Sequence, residues 1–188
     1  MRPSTLAVLA GLALATTAPA LAQTAPAPPA VAAAPNPAFA ADVASLDAIV
    51  AALYDVISGD AGEARDWDRM RYLFHPAAQL MPTSTNPQGL GVLTAITPQG
   101  YVDRAGPTLV RDGFHEREIA RRVDRFGRIA HVFSTYDARR AATDAQPFLR
   151  GINSIQLFDD GARWWIVSVY WQAESPTVPL PPEYLPTP

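Results

Sequence analysis

The chain has 188 residues, 18 acidic against 15 basic side chains, a formal charge of −3 and no cysteine. That balance argues against a nucleic-acid partner. Without cysteine there is no disulfide, no cysteine metal site and no thiol nucleophile, so an exported fold would be held by packing alone.

Residues 1–22 read as a signal peptide. Arg2 precedes the apolar run Leu6 to Ala15, and Ala20-Leu21-Ala22 has the small-x-small form of a cleavage site. The run is short for a bilayer span and Pro19 follows it, so cleavage after Ala22 is predicted, with delivery to the periplasm or the exterior and no stable membrane insertion afterwards. Cleavage removes one arginine, leaving 14 against 18 carboxylates, a charge of −4. Residues 23–41 are rich in Ala and Pro and are expected to form a disordered linker. One domain is assigned to 42–175, and a Pro-rich tail to 176–188.

Asp42 to Ser58 places Val43, Leu46, Ile49, Val50, Leu53, Tyr54 and Ile57 at helical spacing. Asp66 is suited to cap a second, shorter helix carrying Trp67, Met70, Arg71 and Phe74, which His75-Pro76 should end. Short strands are expected at Gln79 to Met81 and Val92 to Thr97. A third helix opens at Thr97 or Pro98 and runs toward Val110, with a bend or break at Gly106-Pro107.

From Asp112 to Ser175 the only proline is Pro147, and the pattern changes to strands. Gly113 to Arg140 reads as a hairpin about Phe126-Gly127. Phe148 to Glu174 reads as a second, about a two-residue type I′ turn at Asp160-Gly161. In that register Asn153 faces Ser168 and Trp171 faces Arg150. Neither face of the second hairpin is polar, so both faces should be covered. Helices first and a four-stranded meander after them imply an α+β domain.

The helix ending RMRYLFHPAAQL (Arg69 to Leu80), the strand start GFHEREI (Gly113 to Ile119) and DDGARWWI (Asp159 to Ile166) resemble the nuclear transport factor 2-like superfamily, its SnoaL-like bacterial members in particular. The resemblance implies a cone-shaped, cystatin-like fold, three N-terminal helices on a curved, mostly antiparallel sheet, with a pocket between the layers and often a homodimer through the open sheet face. Isomerase-like members carry a carboxylate base at the end of the strand after the second helix. Gln79 to Pro82 has no acid there, which argues against a steroid-isomerase mechanism.

The histidines His75, His115 and His131 lie in no metal-binding spacing, so no metal and no cofactor is expected. His131 lies mid-strand, opposite Arg122 in the assumed register and near Glu118, which makes it a candidate general base with Tyr54 or Asn153 polarising a carbonyl. The plainer reading is a hydrogen-bonded structural histidine. Glu116 and Glu118 share a strand face, with Glu116 opposite Asp137, and a charged ladder with Arg117 and Arg139 is favoured over a paired-carboxylate site. Tyr54, Trp67, Asn153 and Ser168 are the candidate ligand contacts. The functional expectation is binding of a small apolar or aromatic molecule, with two alternatives: a lyase, isomerase or cyclase using His131, and a homodimeric interaction module. The tail, with Leu180, Tyr184 and Leu185 as anchors, should lie along the domain or a dimer partner.

Overall fold

The structure, a computed structural model, describes residues 35–186. The expected signal peptide and linker residues 23–34 lie outside the described residues. The linker expectation fails at its end, because Pro37–Val43 forms a 3-10 helix that buries Val43. Asn36 caps it by accepting from the Ala38 N–H at 3.0 Å, and Pro37 supplies the φ that a helix start needs.

Helix α1 (Leu46–Ile57) is capped by Ser45 and buries Ile49, Val50, Leu53, Tyr54 and Ile57 on the stripe that the spacing predicts. Helix α2 (Trp67–Leu73) starts on Asp66, which accepts from the Arg69 N–H at 2.8 Å. Arg65 just before it is 8% exposed, and its guanidinium donates to the carbonyls of Ile57, Gly59, Glu63 and Leu109. Helix α3 (Pro98–Asp112) runs unbroken through Gly106-Pro107, where a bend or a break was expected. Gly106 lets Trp67 pack closely, since a Cβ there would lie 3.1 Å from the indole, and this contact supports the helix across the proline.

Six strands form one mixed sheet. They are β1 (Phe74–Thr85), β2 (Gly91–Leu93), β3 (His115–Phe126), β4 (Ile129–Arg139), β5 (Leu149–Asp159) and β6 (Trp164–Ala173), in spatial order β2-β1-β6-β5-β4-β3. β1 runs parallel to β6 and all other pairs are antiparallel. β1 is longer than the expected Gln79 to Met81 and takes in His75-Pro76. Its ladder to β6 is interrupted between Phe74 and Gln79, where Pro76 has no N–H to give. β2 is shorter than expected, and beyond it only Ile96 bridges, to Leu80.

Both long hairpins depart from the expected registers. Asp160 Oδ1 accepts from the N–H groups of Ala162 and Arg163 at 2.7 and 2.8 Å, and Oδ2 from the Trp165 indole at 2.7 Å, which organises a four-residue loop instead of a two-residue turn. A bulge between Gln156 and Leu157 shifts the ladder once more. Asn153 therefore pairs with Trp171, not Ser168, and Arg150 bridges Glu174 at 2.8 Å instead of facing Trp171. The first hairpin turns at Gly127-Arg128, with Phe126 opposite Ile129. His131 accordingly faces Asp124, not Arg122, and Glu116 faces Ala138, not Asp137. The extra residue Ile119 puts Arg121 on the same face as Glu118, which it meets at 3.3 Å.

The helices cover the inner sheet face, where Val132, Tyr136, Ile155, Leu157, Ile166 and Val169 meet Ile49, Leu53, Met70 and Leu73. The tail crosses the outer face, where Thr135 Oγ1 donates to the Tyr184 carbonyl at 2.6 Å and the Phe133 and Tyr184 rings stand 5.0 Å apart. No described helix is long and apolar enough to cross a membrane.

Candidate ligand site

A cavity of about 180 Å³ lies between the helices and the inner sheet face. Its walls are mainly aliphatic and aromatic, Leu53, Met70, Leu80 and Val169 among them, and its polar groups are Glu116, Asn153, Tyr101 and Tyr136. Strand alternation delivers three of the four. Glu116 enters from β3, Tyr136 from β4 and Asn153 from β5, each one of the inner-facing residues of its strand. Tyr136 pairs with Gly151, where a Cβ would lie 2.6 Å from its hydroxyl and 2.5 Å from the Gln172 carbonyl, so only glycine leaves the ring its place. Tyr101 comes from α3 and stands edge-on to Trp171 with ring centroids 6.4 Å apart.

Burial pushes the Glu116 carboxyl up to about 8. The Asn153 hydrogen bond at 3.2 Å opposes this rise and the Asp137 charge adds to it. Asn153 gives its second amide proton to the Tyr54 hydroxyl at 3.1 Å. Ser134 donates to Glu118, so Tyr54 must donate its own proton to Ser134, at 2.7 Å. Tyr54 therefore has no proton left for a ligand. Tyr101 and Tyr136 differ, because neither hydroxyl is hydrogen-bonded to another described residue; burial, and then the Glu116 charge, hold both phenols well above their ordinary value. On its other side Glu116 borders an open groove of about 740 Å³ between α1 and β3, lined also by Asp47, Glu118 and Arg121.

The structure brings together Tyr54, Glu118 and Asn153 of the residues singled out from the sequence. It does not bring His131 to them. His131 alternates with the buried Ala130 and Val132 and so faces outward, with Nε2 2.9 Å from Ser154 Oγ, which rules out its action as a base beside Tyr54 or Asn153. Ser168 pairs with Gln156 on the outer face, next to the inward-facing Val169, and Trp67 packs on Gly106 away from this cavity. Asp137 does belong to a charged ladder. Although partly desolvated, its carboxyl is held below the usual range by Arg117 at 3.0 Å and by Arg139. Tyr101 and Tyr136 went unnoticed in the sequence, though Ala130, Val132, Ser134, Tyr136 and Ala138 form an unbroken inward alternation. Among the described residues no group of three or more His, Asp and Glu is arranged to hold a metal ion.

A mixed six-stranded sheet with helices on one face and a cavity between the layers is the nuclear transport factor 2-like, or cystatin-like, fold. The chain is similar to a protein of unknown function with a cystatin-like fold from Nostoc punctiforme, at 12% identity over 71% of this chain and 90% of that one, with a TM-score of 0.50. It is similar to LinA at 11% identity over 74% of this chain and 89% of that one, again with a TM-score of 0.50. A nuclear transport factor 2-like protein of unknown function from Shewanella baltica is 20% identical over 70% of this chain and 98% of that one, with a TM-score of 0.43. No family model and no curated protein matches the sequence. At these identities the likeness to the Nostoc punctiforme protein and to LinA supports the fold alone and leaves activity to be argued from the site.

Proposed function

We propose that the chain is an exported, SnoaL-like domain that binds an uncharged molecule of about one ring, bearing a hydrogen-bond acceptor, in the cavity between helices and sheet. One observation carries this reading: two phenols without partners and a carboxyl pushed up to about 8 line a single small apolar cavity. All three groups offer a proton near neutral pH, and none brings a full charge that would favour an ionic ligand. An apolar cavity of about 150 Å³ is large enough for benzene, which sets the size class. Export rests on the sequence of residues 1–22. The test is mass spectrometry of small molecules that copurify with the exported protein, followed by thermal-shift measurements with cyclohexanone, acetophenone and benzene. Stabilisation by the ketones but not by benzene, lost in Tyr101→Phe/Tyr136→Phe, supports the reading. No copurified molecule and no shift with any probe would sink it.

A second reading is an acid/base enzyme of the lyase or isomerase kind acting through Glu116, and the raised carboxyl favours it, because both protonation states are accessible near neutrality. Deuterium exchange beside the carbonyl of a bound ketone, abolished in Glu116→Gln, would distinguish catalysis from binding. A homodimer through the outer sheet face would have the exposed Phe126, Ile129 and Val167 beside the tail, and light scattering over a range of concentrations tests it.

A further inference from the structure

The outer face of the sheet carries a second, half-open space. Residues 174–184 form a strap anchored at both ends. At the near end the Glu174 carboxylate takes the Arg150 guanidinium at 2.8 and 3.0 Å and the Leu180 N–H at 3.1 Å, and Ser175 and Val178 exchange backbone hydrogen bonds. At the far end Thr135 holds the Tyr184 carbonyl, Arg122 donates to the Glu183 carbonyl at 3.2 Å, and the same guanidinium lies 4.6 Å over the Tyr184 ring. Between these anchors the strap does not close on the sheet. About 350 Å³ remains, lined chiefly by Phe133, Ile152, Tyr170, Val178, Leu180 and Tyr184. Tyr170 and Val178 stay 43% and 49% exposed, so apolar surface is left uncovered. Pro179, Pro181 and Pro182 fix φ along the strap and keep it from sagging into the gap.

We infer that this strapped slot is a second small-molecule site, for an uncharged apolar ligand larger than the interior cavity admits. Among the described residues the only charged group in the lining is Glu174, and both of its oxygens are already engaged by Arg150 and Leu180. The polar side chains of the floor are Ser154, hydrogen-bonded to His131, and Gln172, whose amide accepts from Thr83 and donates to the Ala173 carbonyl; they can recognise a hydroxyl or carbonyl but cannot neutralise an ion. The occupant is a small molecule and not another chain, because the strap roofs the slot. A strand or a second copy would reach the floor only by displacing Tyr184 from Phe133 and breaking its hold on Thr135. At about 350 Å³ the slot falls in the range of small-ligand pockets.

The test titrates the full-length chain with the neutral fluorophore N-phenyl-1-naphthylamine, whose three rings exceed the interior cavity. Saturable binding to one site is expected. Ser154→Phe, which fills the floor, should raise Kd roughly tenfold or more, equivalent to about 1.4 kcal/mol. Tyr136→Phe, which alters only the interior cavity, should leave Kd unchanged, and a chain ending at Ser175 should lose saturable binding while keeping its circular dichroism. Absence of saturable binding by the full-length chain, or wild-type affinity in the chain ending at Ser175, would overturn the proposal. Weaker binding in Tyr136→Phe would do the same, by placing the probe in the interior.

Discussion

Asn153 Nδ2 stands 3.2 Å from Glu116 Oε1 and is the one side-chain donor to that carboxyl among the described residues. It favours the ionised form, against the burial that disfavours it. Asn153→Leu should therefore move the Glu116 titration further up and cost about 1–3 kcal/mol of stability, because the amide also serves Tyr54. A downward shift of the titration would contradict this assignment.

Stability should depend on pH through the same residue. Glu116 holds its proton up to about 8 in the folded chain, against an ordinary value of 4.5. The folded state binds more protons between those limits, so the stabilising contribution is complete below the lower value and is lost as pH rises to the upper one. Glu116→Gln removes this dependence, which for one group is at most about 1.4 kcal/mol per pH unit. Urea melts at about pH 5 and about pH 8 should show the variant gaining on the wild type as pH rises. A pH-independent difference would count against the raised carboxyl.

Arg65 is a structural cation. Its guanidinium serves four carbonyls from three separate stretches of chain, and no carboxylate is among its hydrogen-bond partners. Arg65→Ala should cost about 3 kcal/mol or more. Arg65→Lys should rescue little of it, because a single ammonium cannot reproduce the planar fork. Rescue to near wild-type melting by lysine would show that charge, not geometry, matters there.

Gly151→Ala should shrink or reshape the interior cavity. The added Cβ meets the Gln172 carbonyl at 2.5 Å, which is backbone and does not yield easily, and the Tyr136 hydroxyl at 2.6 Å, which must move. A loss of about 1–3 kcal/mol is expected, together with weaker binding of ring-sized ketones. Unchanged binding would show that the Tyr136 hydroxyl is not a ligand contact.

Much of the fold was legible because periodicity is local. The stripe from Ile49 to Ile57, the Ser45 and Asp66 caps and the alternation of β4 and β5 each follow from a few neighbouring residues. The registers were not legible, because the length of a turn depends on side-chain hydrogen bonds such as those of Asp160 and on bulges such as Ile119, which leave no periodic trace. That error carried straight into the site. Centring the first turn one residue early and missing the Ile119 bulge paired Glu116 with Asp137 and gave His131 a cationic partner, whereas the observed pairing turns Glu116 toward Asn153 and the phenols. Asn153 and Tyr54 were visible as polar groups within apolar runs. Tyr136 was hidden because nothing nearby in sequence marks Gly151 as the gap that accommodates it.

The central claim is that Glu116 presents a largely protonated carboxyl to a ligand cavity at neutral pH. A carbon-13 NMR titration of the glutamate side-chain carboxyls, with the Glu116 resonance assigned by its loss in Glu116→Gln, measures this directly. The account predicts a midpoint near 8, displaced when a neutral ring-sized ketone is added. A midpoint in the ordinary carboxylate range of about 4 to 5, unmoved by any such ligand, would contradict it.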